Sequence, residues 1–242
     1  MGCVFCASTL NGLIRNLSAA EMLEQIYRIQ CLTGERVSHV VVMGSGEPFD
    51  NYENFLRFVK LVTDRNGLNI SQRNITVSTC GLIPQIRRLA EENLQITLAL
   101  SLHAPNDKVR RSLMPIAAKY PLSQLLSVCD YYFERTGRRV TFEYSLVNQV
   151  NDTLKEAAEL CDLIKSRNSH SAGYHVNLIP VNPIKERHFI PSDRRNIENF
   201  KNLLEKNGIN VTIRREMGRD IEGACGQLRM SYLEETVVGG ND

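Results

Sequence analysis

The sequence of 242 residues has no long hydrophobic run, no low-complexity tract and no large excess of one charge. Its longest apolar stretches, such as 96–102, have the length of a strand, so we expect no segment to cross a bilayer. No charged leader precedes an apolar stretch at the start of the chain, so we expect no secretory signal. A net charge of +2 leaves nucleic-acid binding to local basic clusters, because the overall field is weak.

A disulfide framework is also unexpected, although the chain contains seven cysteines. Such frameworks belong to small secreted domains, and this chain is too long for that class. We therefore expect a reducing, cytoplasmic compartment. The hydrophobic content of 43% predicts one folded domain with a sizeable core.

Apolar, β-branched runs alternate with amphipathic stretches, which is typical of βα units around a parallel sheet. Strands are predicted over 37–43, 74–78, 95–102, 139–147, 174–180 and 210–214. Helices are predicted over 18–33, 52–63, 82–92, 122–135, 153–166 and 192–207, the first opened by a capping box of Ser18 and Glu21. In such folds the loops at the carboxyl ends of the strands form the site.

Two cysteines, Cys3 and Cys6, lie two residues apart at the start of the chain. Their spacing suits half of a zinc ribbon, a redox dithiol or part of an iron-sulfur site, and two buried structural cysteines are the plain alternative. No strand is predicted before Cys3, so the expected first βα unit has a loop and a helix only. This pattern predicts a truncated chain whose first strand is missing.

Residues 1–9, followed by Arg15-Asn16-Leu17, resemble the end of the Cys-x3-Cys-x2-Cys signature of radical S-adenosylmethionine (SAM) enzymes. From residue 1 to about 232 the chain resembles the radical-SAM methyltransferases that modify carbon 2 of adenine in 23S rRNA and tRNA. The resemblance implies an α/β fold, a partial TIM-like (β/α)6 barrel whose first strand is missing. It also places the first cluster cysteine and an N-terminal RNA-binding domain upstream of Met1. Residues 1–242 are then expected to be a catalytic-core fragment that is inactive alone.

By this resemblance, Cys3 and Cys6 bind a 4Fe-4S cluster. The implied SAM-binding residues are Gly46, Glu47, Ser78, Ser101, Leu102, His103 and Asn182. The motif around Glu47 reads Gly44-Ser45-Gly46-Glu47-Pro48, where the family usually has Met in place of Ser45. Its glycines would let the backbone approach a ligand, and its carboxylate could accept hydrogen bonds from the SAM ammonium. Taken singly, Ser78 and the stretch at 101–103 are more typical of loop caps.

Cys225 lies in a loop of small residues near Arg214, Arg215 and Arg219, which would favour a thiolate. Without the family, a buried loop cysteine is the plainer interpretation. The resemblance makes Cys225 the methyl carrier, acting through a methyl-cysteine intermediate and a covalent RNA adduct. It places the second cysteine, which forms a disulfide with Cys225 on release, and the proton-accepting base upstream of Met1.

The implied partners are 23S rRNA, tRNA and an electron donor such as flavodoxin or ferredoxin, and the protein is expected to be a monomer without membrane contact. Arg214-Arg215 is the basic pair best placed for RNA phosphates. Two alternatives stay open. One is the relative that methylates carbon 8 of adenine and confers antibiotic resistance, and the other is a non-catalytic barrel that binds RNA or zinc.

Overall fold

The computed structural model describes residues 1–10, 12–167, 173–181 and 189–214. Within them lie six strands, β1 Val40–Val42, β2 Ile75–Thr79, β3 Thr97–Ser101, β4 Val140–Leu146, β5 Tyr174–Pro180 and β6 Val211–Ile213. The helices are α1 Ala19–Thr33, α2 Tyr52–Val62, α3 Ile83–Glu91, α4 Asp107–Leu113, α5 Leu122–Thr136, α6 Leu154–Lys165 and α7 Arg194–Lys206. Among the described helices, none is both long and apolar enough to span a membrane.

All six strands pair in parallel and in chain order, from β1 at one edge to β6 at the other. Within the described residues the edge strands do not meet, so the sheet is open. This is the predicted α/β architecture of a partial TIM-like barrel. The six predicted strands are confirmed, although the first is only Val40–Val42 instead of 37–43.

Local signals account for most helix boundaries. The capping box at Ser18 is present, since its hydroxyl accepts from the Glu21 amide and the Glu21 carboxylate accepts from the Ser18 amide. Gly34 and Gly137 end α1 and α5 in the left-handed conformation. The sequence analysis missed α4, a short helix capped by Asn106, whose side chain accepts from the Val109 amide. Seven residues are too few for a clear helical period.

The two faces of the sheet differ in chemistry, because side chains alternate along each strand and paired residues share a face. The apolar face includes Val77, Leu100, Phe142, Tyr144 and Leu178, all of them fully buried. It packs against the helices, as in the ring contact of Tyr144 with Phe200 on α7.

The opposite face of the sheet carries mainly polar side chains, and we call it the polar face. Its members include Thr76, Ser78, Thr97, Ser101, Thr141, Glu143, Ser145, His175, Asn177 and Thr212. Several of them, such as Ser78, Ser101 and Asn177, are partly exposed. The helices therefore cover the apolar face, and the polar face lines the concave side of the open barrel.

Candidate functional site

The cysteine loop, residues 1–6, places Cys3 and Cys6 on one tight turn. The Cys6 amide donates to the Cys3 carbonyl at 3.2 Å. The Thr9 hydroxyl closes the turn by donating to the carbonyls of Cys3, at 3.2 Å, and Cys6, at 2.8 Å. Burial, reinforced by the neighbouring Cys6, raises the pKa of the Cys3 thiol to about 11. The Cys3 thiol is therefore protonated at neutral pH, and a bound metal would have to deprotonate it.

Three contacts fix this loop against the end of α4 and the carboxyl ends of β2 and β3. The Val4 amide donates to the Leu113 carbonyl at the end of α4, at 3.0 Å. The Cys80 thiol, just after β2, contacts the Met1 sulfur at 3.6 Å. The ring of Phe5 meets the His103 ring edge-on, with centroids 4.8 Å apart. The structure therefore brings the cysteines to the strand ends where the sequence analysis placed the site.

The donor set fits an iron-sulfur cluster in part. Thiolates are the usual protein ligands of such clusters, and the turn supplies two of them beside an aromatic ring that limits water access. In the part of the chain that the structure describes, no group of three His, Cys, Asp or Glu side chains is arranged to hold a metal ion. Cys3 and Cys6 would thus supply two ligands of a cluster, and the described residues also lack a complete zinc site.

Glu47 lies between two of the predicted loops and joins them. Its Oε1 accepts from the Phe49 amide at 3.1 Å, and its Oε2 accepts from the Cys80 amide at 2.7 Å. Burial raises the pKa of this carboxyl above its usual value, against the lowering effect of these amides. The side chains of Thr79 and Cys80 also interact with this carboxylate and lower its pKa. Glu47 therefore has a structural function in addition to the predicted binding function.

Gly46 precedes it with φ of +121°, a backbone conformation that L side chains rarely adopt. A Cβ on Gly46 would meet no described atom within 4 Å, so space is open beside this backbone. Ser45, where the family usually has Met, is exposed and also has a positive φ of 47°. Open space thus lies beside the Gly46 backbone, and the role of Gly46 in SAM binding stays a prediction.

Ser78 and Ser101 both lie on the polar face, partly exposed, near the ends of β2 and β3. Leu102 differs, because its side chain is fully buried in the core. Its amide donates to the Glu143 carbonyl at 3.0 Å, and its carbonyl accepts from Arg110. Leu102 therefore positions its neighbours, while Ser101 offers a hydroxyl to the concave side.

His103 is held as a neutral imidazole. It is only 5% exposed, and burial, followed by the charge of Arg110, lowers its pKa from 6.5 to about 3. Its Nδ1 accepts from the Ser145 amide at 2.9 Å, so the proton lies on Nε2. Its backbone has a positive φ of 56°, which is uncommon for a non-glycine residue. The structure thus fixes both the orientation and the tautomer of the ring.

Asn151 holds that backbone in place and was not singled out in the sequence analysis. It is fully buried, and its Nδ2 donates to the carbonyls of His103 and Ser145, both at 2.7 Å. Its Oδ1 accepts from the Val147 amide at 2.7 Å. The sequence offered only an Asn in a loop after a strand as a signal for this role, and Asn148 fits the same description.

A polar row across three strands was also missed. Asn177 donates from Nδ2 to Oε2 of Glu143 at 2.8 Å, and the Thr212 hydroxyl donates to Oδ1 of Asn177 at 3.2 Å. Ser101 pairs with Glu143 on the same face. Burial raises the pKa of the Glu143 carboxyl, opposed by Asn177 and Arg214. The sequence signal was a polar residue at alternate positions of apparently buried strands.

Asn182, Cys225, Arg215 and Arg219 lie outside the described residues. Their predicted roles in SAM binding, methyl transfer and RNA contact therefore stay predictions. Arg214 is described and exposed, and it follows β6 directly.

Comparisons with known proteins agree with this geometry. Residues 1–162 match the family model of the radical SAM superfamily. The probable dual-specificity RNA methyltransferase RlmN of Lachnoclostridium phytofermentans is 63% identical over 238 residues, which cover 98% of this chain and 65% of that protein. The protein of the same name from Clostridium botulinum is 55% identical, with 97% of this chain and 67% of that protein covered.

Among solved structures, a radical SAM methyltransferase from Sphaerobacter thermophilus superposes with a TM-score of 0.88 at 45% identity. The match covers 93% of this chain and 66% of that chain. This chain thus spans about 65% of the length of the Lachnoclostridium relative and 66% of that of the solved structure.

Proposed function

The chain belongs to the radical SAM superfamily, and we propose that it is the catalytic core of an RNA methyltransferase acting on carbon 2 of adenine in 23S rRNA and tRNA. One structural observation carries the proposal. The cysteine loop, the Glu47 loop and the ends of β2 and β3 are joined by direct contacts beside a polar, concave sheet face. A polar cosubstrate could lie there within reach of the cysteines.

The reaction calls for unusual chemistry, because carbon 2 of adenine is electron-poor and does not attack the methyl group of SAM. When bound, the cluster and SAM would supply the one-electron chemistry that activates a methyl group for this carbon, with electrons from a donor such as flavodoxin or ferredoxin. Cys3 and Cys6 would contribute two thiolate ligands to that cluster.

SAM would bind along the polar face. The carboxylate of Glu47 would accept from the α-ammonium group, and the open space beside Gly46 would admit the amino-acid portion. The hydroxyls of Ser78 and Ser101 and the Nε2–H of His103 would contact the carboxylate, ribose or adenine, with Asn182 as a further contact.

This assignment predicts that Glu47→Gln weakens SAM binding by about one to two decades, since a charge-assisted hydrogen bond contributes about 1.5–3 kcal/mol. Equilibrium dialysis with labelled SAM and the cluster-loaded protein measures this. Glu53→Gln, on the exposed surface of α2, is the control. Equal SAM affinity of wild type and Glu47→Gln would remove Glu47 from the site.

Cys225 would carry the methyl group as a thioether before its transfer to RNA, and Arg214 with Arg215 would bind RNA phosphates. In the full-length enzyme, Cys225→Ala should retain SAM cleavage and abolish RNA methylation. The matched control is Cys31→Ala, because Cys31 lies exposed on α1. Mass spectrometry of digested RNA reads out the methylated nucleoside, and persistent methylation by Cys225→Ala would refute the methyl-carrier role.

The same assay separates the alternatives. Methylation at carbon 8 would place the protein with the antibiotic-resistance relative, and RNA binding without any methyl transfer would indicate a non-catalytic barrel. Iron and sulfide analysis distinguishes a cluster from zinc, since zinc gives no visible absorption band.

A further inference from the structure

Arg110 is the largest fully buried side chain in the described part of the protein, with 0% exposure. Its guanidinium donates to four backbone carbonyls, those of Cys80 at 2.8 Å, Ser101 at 3.2 Å, Leu102 at 3.2 Å and Tyr120 at 3.5 Å. Four of the five N–H donors of Arg110 are thus used, and all four acceptors are neutral.

The charge of Arg110 has no direct partner among the described side chains. No described carboxylate forms an ion pair with it, and Asp107, on the same helix, acts on it only from a distance. Transfer of an unpaired charge from water to a protein interior is costly, and natural proteins compensate buried charges with an opposite charge or a metal site. A fully buried guanidinium therefore indicates an anionic group nearby in the functional state.

The surroundings of Arg110 show where that anion would lie. Two of its acceptors, Cys80 and Ser101, are at the ends of β2 and β3. Its helix, α4, ends at Leu113, whose carbonyl anchors the cysteine loop through Val4. The Cys80 thiol contacts Met1 of the same loop.

We propose that Arg110 is a positioning residue that supplies the countercharge for the thiolate-bound iron-sulfur cluster at Cys3 and Cys6, and that its charge makes the cluster easier to reduce. This inference rests on the proposed function, since it takes the cluster from family membership. Each cysteine ligand brings a negative charge, and reduction adds another. A fixed positive charge nearby stabilises the reduced state more than the oxidised one, because the reduced cluster is more negative.

A competing explanation is structural. Arg110 crosslinks the ends of two strands, and the loss of these bonds alone could disturb the site. The test must therefore separate the charge from the hydrogen bonds. Arg110→Gln removes the charge but retains an amide donor. Arg110→Lys retains the charge and loses the planar guanidinium group with its several N–H donors. Arg111→Gln removes a charge from the adjacent, exposed position of α4 and serves as the matched control.

The measurement is a redox titration of the cluster in the purified full-length holoprotein, which includes the cluster cysteine that the family resemblance places upstream. It is monitored by electron paramagnetic resonance, with iron and sulfide content measured for each variant. We expect Arg110→Gln to lower the ratio of reduced to oxidised cluster about tenfold at a fixed potential, a shift of about 59 mV for one electron. Arg110→Lys should stay close to wild type, and Arg111→Gln should shift the ratio far less than Arg110→Gln.

Equal shifts in Arg110→Gln and Arg110→Lys would overturn the proposal, because they would assign the effect to hydrogen bonding. An unchanged potential in Arg110→Gln would overturn it as well. If Arg110→Gln does not fold, Arg110→Met takes its place in the experiment, because it is also neutral and keeps the apolar part of the side chain. If neither neutral variant folds, the proposal is overturned and Arg110 is a purely structural residue. A full-length wild-type protein, with the implied upstream cluster cysteine, that binds no cluster would instead refute the proposed function, so the two failures are distinguishable.

Discussion

The two faces of the parallel sheet are made by the same six strands, yet they serve different purposes. Leu100 on the apolar face is fully buried against the helices, whereas Ser101, the next residue, is partly exposed on the polar face. The apolar face holds the domain together through burial of large side chains. The polar face carries hydroxyl, amide and carboxylate groups, and the proposed function assigns SAM binding to them. Two adjacent residues of one strand are thus expected to contribute to different properties, Leu100 to stability and Ser101 to the proposed ligand site.

The largest expected effect tests this division directly. Leu100→Ala should destabilise the protein by about 2–5 kcal/mol, because it removes buried methyl groups and leaves a cavity beside Leu125. Ser101→Ala, one residue along the strand, should change stability by less than about 1 kcal/mol. Urea unfolding followed by circular dichroism compares the two. Equal losses would show that the polar face also supports the fold.

Glu47 is expected to serve both stability and ligand binding, since its carboxylate bridges two loops. Glu47→Gln leaves one of the two backbone amides, of Phe49 or Cys80, without its acceptor, and should cost about 1–3 kcal/mol. The exposed ion-pair residue Glu53 is the control, and Glu53→Gln should cost less than about 1 kcal/mol. If both variants unfold at the same urea concentration, the bridge contributes nothing beyond a surface pair.

His103 predicts a dependence of stability on pH. The pKa of its imidazole is about 3 in the folded protein and 6.5 as a free group, so the unfolded chain binds more protons between these values. Stability is therefore complete above about pH 6.5 and should fall with decreasing pH, by about 1.4 kcal/mol per pH unit between roughly pH 6 and 4.

Asn is the matched replacement, because it tolerates a positive φ and its carbonyl can accept from the Ser145 amide. His103→Asn should flatten the slope measured by urea unfolding from pH 7 to 4. An unchanged slope would assign the acid sensitivity to other groups.

The smallest effect is expected for Glu143 on the polar face. Burial raises the pKa of its carboxyl, so the folded state binds the proton more tightly and stability decreases as pH rises through this pKa. Glu143→Gln removes this dependence and can still accept from Asn177, so stability at pH 7 should change by less than about 1 kcal/mol. A large loss would show that the ionised carboxylate is needed for folding.

The sequence by itself determined the order and type of the elements, because hydrophobic period, the Ser18 capping box and glycine stops act within one segment. It predicted Cys3 and Cys6, Gly46, Ser78 and Ser101, and the structure places them at the same ends of the strands. Its errors were local, namely the short helix α4 and the length of β1.

Only the tertiary structure determined the contacts between segments that are far apart in the chain. The bridge from Glu47 to Cys80, the row from Glu143 to Thr212 and the four carbonyls around Arg110 join residues far apart in the chain. Whether Arg110 is a solvated surface residue or a buried charge depends on how α4 packs beneath the cysteine loop. Its neighbour Arg111 is exposed, so the sequence of two adjacent arginines cannot distinguish them. Burial and strand register are collective properties of the packed chain, and they turn the same residue types into core, bridge or site.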